Sequence, residues 1–145
     1  MIYNIRDFGA EPNMGKLCTQ AIQRAIDACD REDTVLVHEG TFVTGALFLK
    51  SNMTLRLEKG AKLLGSGDVQ DFPVMGYPCE GFDQLCYASL INTDSAPHEN
   101  IAITGEGVID AGGKRLFEAE MSDPKIKRGR AGCRKPTLRI SVWKM

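Results

Sequence analysis

The chain has 145 residues, of which 43% are hydrophobic and 26% are charged, as in an ordinary soluble domain. Its formal net charge of −1 disfavours a general nucleic-acid binder. No run of about 18 apolar residues is present, so no membrane-spanning helix is expected. The first eight residues lack the basic and apolar segments of a secretion signal, which predicts a cytoplasmic protein.

The first predicted element is an amphipathic helix over residues 17–29. Apolar side chains recur there at helical spacing, at positions 18, 21, 22, 25, 26 and 29. Two of these positions are Cys18 and Cys29, which are predicted to be small core residues.

Short alternating strands follow from residue 33, with no room between them for crossover helices. The segments 33–42, 52–61 and 100–109 share one pattern: a polar residue, an alternating strand, a glycine and a new apolar start. Inward residues of so short a strand can be buried only by a stacked neighbour. The pattern therefore predicts the stacked coils of an all-β parallel solenoid.

Each end of such a solenoid needs a cap, because an open end exposes apolar interior and unpaired strand edges. The helix is predicted to cap the first coil. Glycines at 40, 60 and 107 are predicted to turn the chain between strands with positive φ.

The chain is predicted to be a single partial domain. Residues 1–32 form the N-terminal segment with the capping helix, and residues 33–113 form the coils, with a loop excursion over 67–90. Residues 114–145 contain a basic segment, 125–135, and an unfinished coil that starts another alternating strand over 137–143. The solenoid is therefore expected to be incomplete at its C-terminal end.

Five cysteines cannot all pair with one another, and none of them forms a C-x-x-C motif. Cys79 and Cys86 are able to pair only in an oxidising compartment. Free thiols are expected, including Cys133.

Two groups of residues resemble a known family. The Asp-Phe-Gly-Ala motif at 7–10 and the helix over 19–29 look like the opening of pectate-lyase-like right-handed β-helix proteins. The segments 40–52, 57–66 and 100–110 resemble glycoside hydrolase family 28, the polygalacturonases. The resemblance covers about residues 3 to 113.

The chain departs from this family at several points. Residues 31–33 and 38–39 stand where the family usually has a glycine cluster and then a proline. Leu116 and Phe117 replace its tryptophans.

The resemblance implies a right-handed parallel β-helix and a hydrolase that cleaves galacturonide linkages with inversion. Inversion needs one carboxyl as general acid and a second to activate water, about 6.5–9.5 Å apart. The resemblance implies galacturonan or a pectic oligosaccharide as partner of the full-length protein, acting as a monomer. No cofactor, metal, nucleic-acid partner or membrane partner is predicted from the residues of this chain.

The family's catalytic motifs, an Asn-Thr-Asp motif and a later Asp-Asp pair, are expected beyond residue 145. Asn92-Thr93-Asp94 copies the first by letter, but it precedes the strand at 100–103 and lacks the following glycine and aspartate. No catalytic residue is therefore predicted in this chain, and the chain alone is expected to be inactive.

Other residues have competing interpretations. Asp110 is predicted to cap a turn, and His98 is predicted to be a lone exposed histidine. Tyr77, Glu80 and Tyr87 either contact sugar from the excursion or fold against the outside of the coil. The basic segment 125–135 is either a solvated loop or an attractor for a polyanion.

Two alternatives to a hydrolase stay open. The first is a non-catalytic β-solenoid that binds carbohydrate or serves a structural role, as in a tailspike. The second is a polysaccharide lyase, which needs calcium-binding acids that are not visible in this sequence.

Overall fold

The computed structural model describes residues 1–13, 15–79, 82–93 and 97–111, with side chains throughout except at 69, 74–79 and 82–87. One α-helix, α1, spans Thr19–Ala28. The strands are β1 (Ile2–Asn4), β2 (Asp33–Val37), β3 (Gly40–Thr44), β4 (Leu47–Leu49), β5 (Met53–Leu57), β6 (Ala61–Gly65), β7 (Val74–Cys79), β8 (Phe82–Tyr87), β9 (Ile91–Thr93), β10 (Ile101–Gly105) and β11 (Val108–Asp110). Short 3-10 turns occupy Ile5–Phe8 and Val69–Asp71.

The coil strands form three parallel sheets. Sheet 1 has the order β1-β2-β5-β10, sheet 2 has the order β11-β6-β3, and sheet 3 pairs β4 with β9. From β2 onward, consecutive coil strands lie in different sheets, and each pairs with the equivalent strand of the next coil. The backbone therefore winds as a parallel β-helix, as the sequence predicts.

Stacking of like positions builds the core. Asp33 pairs with Met53 and Val35 with Leu55, and β5 repeats this register with β10. Val35 and Leu55 are fully buried, whereas Ile103, which stacks on Leu55 in the last described coil, is only partly buried. Burying each such side chain is worth about 1.5–3 kcal/mol, so a coil gains most of its stability when neighbours cover both of its sides.

The helix closes the first coil, as predicted, and it begins and ends inside the predicted range. Its apolar face is buried at Ala21, Ile22, Ala25 and Ile26, and the flanking Cys18 and Cys29 are buried free thiols. Leu17 lies outside the helix, 45% exposed, in a parallel bridge with Val43.

Polar side chains of α1 bond the strand edge that the helix covers. Gln23 Nε2 donates to Phe48 O at 3.0 Å, and Phe48 N donates to Gln23 Oε1 at 2.9 Å. Thr19 Oγ1 accepts the Gly45 N–H at 2.7 Å. These bonds supply the partners that a neighbouring strand would otherwise provide, which is why β4 can end the stack.

The turns that lead from sheet 1 to sheet 2 use left-handed glycines. Gly40 and Gly60 have φ of 131° and 87°, as predicted, but Gly107 does not have a positive φ. The left-handed residue of the last coil is Gly105, with φ 104°. Gly107 is instead needed for close packing, because a Cβ there would collide with the Leu57 side chain.

Three residues that are not glycine share the left-handed conformation one position before β2, β5 and β10. They are Glu32, Asn52 and Asn100, with φ of 63°, 61° and 56°. Asn100 Nδ2 donates to Asn52 Oδ1 at 2.9 Å, so the two asparagines form a ladder from coil to coil.

The excursion over 67–90 contains regular structure that its sequence pattern did not indicate. β7 and β8 form an antiparallel hairpin inserted between β6 and β9. Its base is bonded to the coil, since Ala46 N donates to Asp71 O at 3.2 Å and Leu47 N donates to Leu90 O at 2.8 Å. The excursion is therefore anchored where it leaves and rejoins the coil.

The register of this hairpin also bears on the predicted thiols. Cys86 of β8 lies opposite Met75 of β7. Met75 is four residues before Cys79 on the same strand. At about 3.3 Å per residue the two Cα atoms are separated by about 13 Å, which is beyond the ~7 Å limit for a disulfide. The two cysteines are too far apart to bond to each other in this hairpin, and Cys133 lies outside the described residues.

Over the part of the chain that the structure describes, no helix is both long and apolar enough to span a bilayer.

Candidate functional site

The first two residues of the Asn-Thr-Asp tripeptide lie on sheet 3, and the asparagine supports the backbone. Asn92 is 7% exposed and lies in β9. Its Oδ1 accepts the Ser89 N–H at 2.9 Å, and its Nδ2 donates to Ser89 O at 2.6 Å and to Leu47 O at 3.2 Å. The amide thus joins two coils at the point where the excursion rejoins, while Asp94 lies outside the described residues.

Asp110 ends β11 on the exposed side of sheet 2. Its Oδ2 lies 3.8 Å from Lys62 Nζ on the neighbouring strand, and both side chains are partly exposed. Asp110 thus contributes an ion pair between coils, and its turn-capping role stays a prediction. Such an exposed pair contributes about 0–1 kcal/mol.

His98 is not the lone exposed side chain that the sequence predicts. It is half-buried, and its Nδ1 lies 3.1 Å from Ser51 Oγ. The same hydroxyl accepts the Glu99 N–H at 3.0 Å. His98 therefore helps to join two stacked turns.

The other predicted contacts fall where side chains are not described. Tyr77 lies in β7 and Tyr87 in β8, so their backbones belong to the hairpin. Glu80 and the basic segment 125–135 lie outside the described residues.

Asp33, at the start of β2, is a buried acid with a structural role. Its Oδ2 accepts the Asp30 N–H at 2.7 Å, and its Oδ1 lies 2.9 Å from the Met1 ammonium. The hydrogen bond from Asp30, and then that from the ammonium, lower the pKa of the Asp33 carboxyl. An acid held ionised in this way suits a fixed ion pair better than proton transfer.

No three His, Cys, Asp or Glu side chains within the described ranges are arranged to hold a metal ion. Among the described acids, Asp33 serves the start of a strand and Asp110 forms an ion pair between coils. The strands of neighbouring coils lie about 4.8 Å apart.

Sequence reasoning missed the environment of His38. It treated His38-Glu39 only as a departure from a family pattern, whereas the structure buries the imidazole to 6% exposure against Asn4 and Phe42. The available signal was a histidine that directly follows a buried alternating strand.

No family model matches the chain, but individual known proteins are similar to it. An exo-poly-alpha-D-galacturonosidase of Dickeya chrysanthemi is 43% identical over 126 residues, which is 82% of this chain and 21% of that protein. A family 28 exopolygalacturonase structure from Yersinia enterocolitica is 45% identical with a TM-score of 0.71, over 75% of this chain and 20% of that one. The chain matches the N-terminal portion of family 28 polygalacturonases.

A second structure agrees with this assignment. A hyperthermoactive exopolygalacturonase from Thermotoga maritima is 32% identical with a TM-score of 0.67, over 76% of this chain and 24% of that one. The polygalacturonase-like chain thus spans about a fifth of the length of the relatives that it matches. These likenesses confirm the predicted family resemblance and the predicted partial right-handed parallel β-helix.

Proposed function

We propose that these coils are the N-terminal part of a polygalacturonase-type glycoside hydrolase that, as a complete protein, hydrolyses galacturonide linkages in pectic polymers with inversion. The observation that carries the proposal is identity of 43% and 45% with an exo-poly-alpha-D-galacturonosidase and an exopolygalacturonase. Galacturonan is the proposed substrate. The cytoplasmic location and the monomeric state stay predictions from the sequence.

In this proposal the described coils act as a scaffold. An inverting hydrolase needs two carboxyl groups about 6.5–9.5 Å apart, and strands stacked at about 4.8 Å can hold side chains of neighbouring coils at such separations. Asp33 and Asp110 already serve structural ion pairs. The catalytic carboxyls are accordingly proposed to lie outside the described coils.

The hairpin β7–β8 is the part of this scaffold that we propose to reach substrate. It leaves the coil between sheets 2 and 3, and backbone hydrogen bonds from Ala46 and Leu47 anchor its base. A projection with a fixed base can line part of a substrate groove, and sugar contact by Tyr77 and Tyr87 stays a prediction from the sequence.

The test compares the 145-residue chain with the protein encoded by an extended reading frame, using polygalacturonate as substrate. A reducing-sugar assay is expected to show turnover only for the extended protein, and proton NMR is expected to show inverted anomeric configuration in the first product. Chromatography distinguishes release of single galacturonate units from random internal cleavage.

Two results would overturn the proposal. Clear turnover by the 145-residue chain would show that the described coils are not only a scaffold. Binding of galacturonan by the extended protein without hydrolysis would favour the non-catalytic solenoid.

A further inference from the structure

The turn between β2 and β3 contains a buried histidine with only one ring nitrogen satisfied. His38 is 6% exposed, and its Nδ1 lies 3.0 Å from Asn4 Oδ1. Its Nε2 is buried without a hydrogen-bond partner. The ring packs edge-on against Phe42, with 4.9 Å between the ring centroids.

The hydrogen bonds of Asn4 determine which nitrogen carries the proton. Arg6 N donates to Asn4 Oδ1 at 2.9 Å, which fixes that atom as an acceptor and orients the amide. His38 Nδ1 must therefore be the donor. In the neutral ring, Nε2 then has a lone pair and no proton, so the buried site contains no unpaired donor.

Two charged side chains from other elements act on the imidazole. Arg6, in the 3-10 turn after β1, opposes a positive charge on the ring, and Glu58, in the turn after β5, favours one. Burial has the largest effect on the pKa of His38. Burial and Arg6 together lower this pKa below the usual 6.5, despite the opposing effect of Glu58. The other groups against the ring, Asn4 and Phe42, do not titrate.

The His38–Asn4 bond is one of several contacts that join the N-terminal segment to the first coil, beside the pairing of β1 with β2, the Met1–Asp33 ion pair and the burial of Ile5. Asn4 both caps the 3-10 turn and accepts from His38, so displacement of the ring removes the bond between Asn4 and the turn that joins β2 to β3. We propose that His38 is an acid-sensitive latch: its neutral imidazole adds to the contacts that hold residues 1–9 on the first coil, and its protonation makes opening of these residues more frequent.

The direction follows from comparing the closed and open states. Protonation of the closed ring would place an N–H at Nε2 without an acceptor and a positive charge near Arg6. The open ring is solvated and titrates near 6.5, so protons bind the open state more tightly. The latch is therefore fully held above about pH 6.5. Below that pH the ratio of open to closed molecules rises, by at most about tenfold per pH unit because a single proton is involved.

Hydrogen exchange measured by mass spectrometry on the 145-residue chain tests this proposal. Protection of peptides covering residues 1–9 is compared with that of α1, from about pH 7.5 to about pH 5, after correction for the intrinsic exchange rate. Protection of residues 1–9 is expected to fall several-fold over this interval, while that of α1 is expected to stay constant.

Three variants separate a proton-driven latch from general acid instability. His38→Asn retains a donor near the Nδ1 position but cannot titrate, so the pH dependence is expected to disappear. Arg6→Gln removes the opposing charge, which should reduce the acid release. Glu58→Gln removes the favouring charge, which should increase it.

Arg6 and Glu58 are exposed, so the last two changes are compatible with the fold. A pH dependence that persists in His38→Asn would overturn the proposal. So would charge variants that shift the release in the same direction.

Discussion

The hydrogen bonds between Gln23 and β4 give a direct test of how the helix caps the solenoid. Replacement by methionine preserves length and helix propensity but removes both bonds to Phe48, at 3.0 and 2.9 Å. Each bond is worth about 1 kcal/mol net, so Gln23→Met should lower the free energy of unfolding by about 2 kcal/mol. The half-buried position of Phe48 keeps the cost from rising much further, because water can reach part of the strand edge.

Urea unfolding followed by circular dichroism measures this loss. With a slope of about 1–3 kcal/mol per molar urea, the midpoint should fall by roughly 1 M. Gln20→Met is the matched control, because Gln20 is exposed on the same helix. Asp27→Ala corrects for the 3.1 Å bond that Gln23 also makes within the helix.

The reasoning fails if Gln23→Met and Gln20→Met unfold at the same urea concentration. That result would mean that water satisfies the β4 edge as well as the glutamine does. The capping effect of the helix would then come only from its apolar face.

Three further predictions concern the turns and the buried acid. Glu32→Asn should stabilise the chain by about 1 kcal/mol, because asparagine tolerates the left-handed conformation and can extend the Asn52 ladder; Glu32→Gln is the control and should change the urea midpoint little. Gly9→Ala should cost about 1–2 kcal/mol for its positive φ, whereas Gly105→Ala should cost about 1–3 kcal/mol more in the same assay, because its Cβ would overlap the Leu57 carbonyl. Asp33→Asn should lower the urea midpoint near neutral pH.

The pH dependence of the last variant follows from the lowered pKa of Asp33. A carboxyl whose folded pKa is lowered stabilises the fold above its usual value of 3.8, and this contribution is lost as the pH falls through the lower folded pKa. The two urea midpoints should therefore converge in acid. Equal losses of unfolding free energy in Gly9→Ala and Gly105→Ala would contradict the argument from close packing. Stabilisation by Glu32→Gln would contradict the argument from the left-handed conformation. A difference in urea midpoint between Asp33→Asn and the parent chain that stays constant in acid would contradict the argument from the carboxyl pKa.

Local pattern was sufficient to predict the coils and the cap. Leu55 lies between the polar Thr54 and Arg56, so its inward direction follows from the two-residue period of a strand. The six apolar positions of the predicted helix are all buried for the same kind of reason, since helical spacing places them on one face. A solenoid is predictable from such patterns because each coil contacts mainly the coils next to it.

Contacts between residues far apart along the chain were not predictable in this way. Nothing around residues 74–87 distinguishes a hairpin from a loop, because its strands are defined by pairing with each other. The assignment of positive φ to Gly107 was wrong because both 105 and 107 are glycines, and only the stacked Leu57 decides which of them must turn.

The sequence by itself determined the period of the strands, the capping helix and the family whose N-terminal portion these coils match, since all three reside in short patterns of residue type. Only the tertiary structure decided what the polar residues do. Gln23, Asn92, His98 and His38 obtain their roles from hydrogen-bond partners 25, 45, 47 and 34 residues away. The physical reason is that a buried polar group must be paired, and the winding of the coils selects its partner.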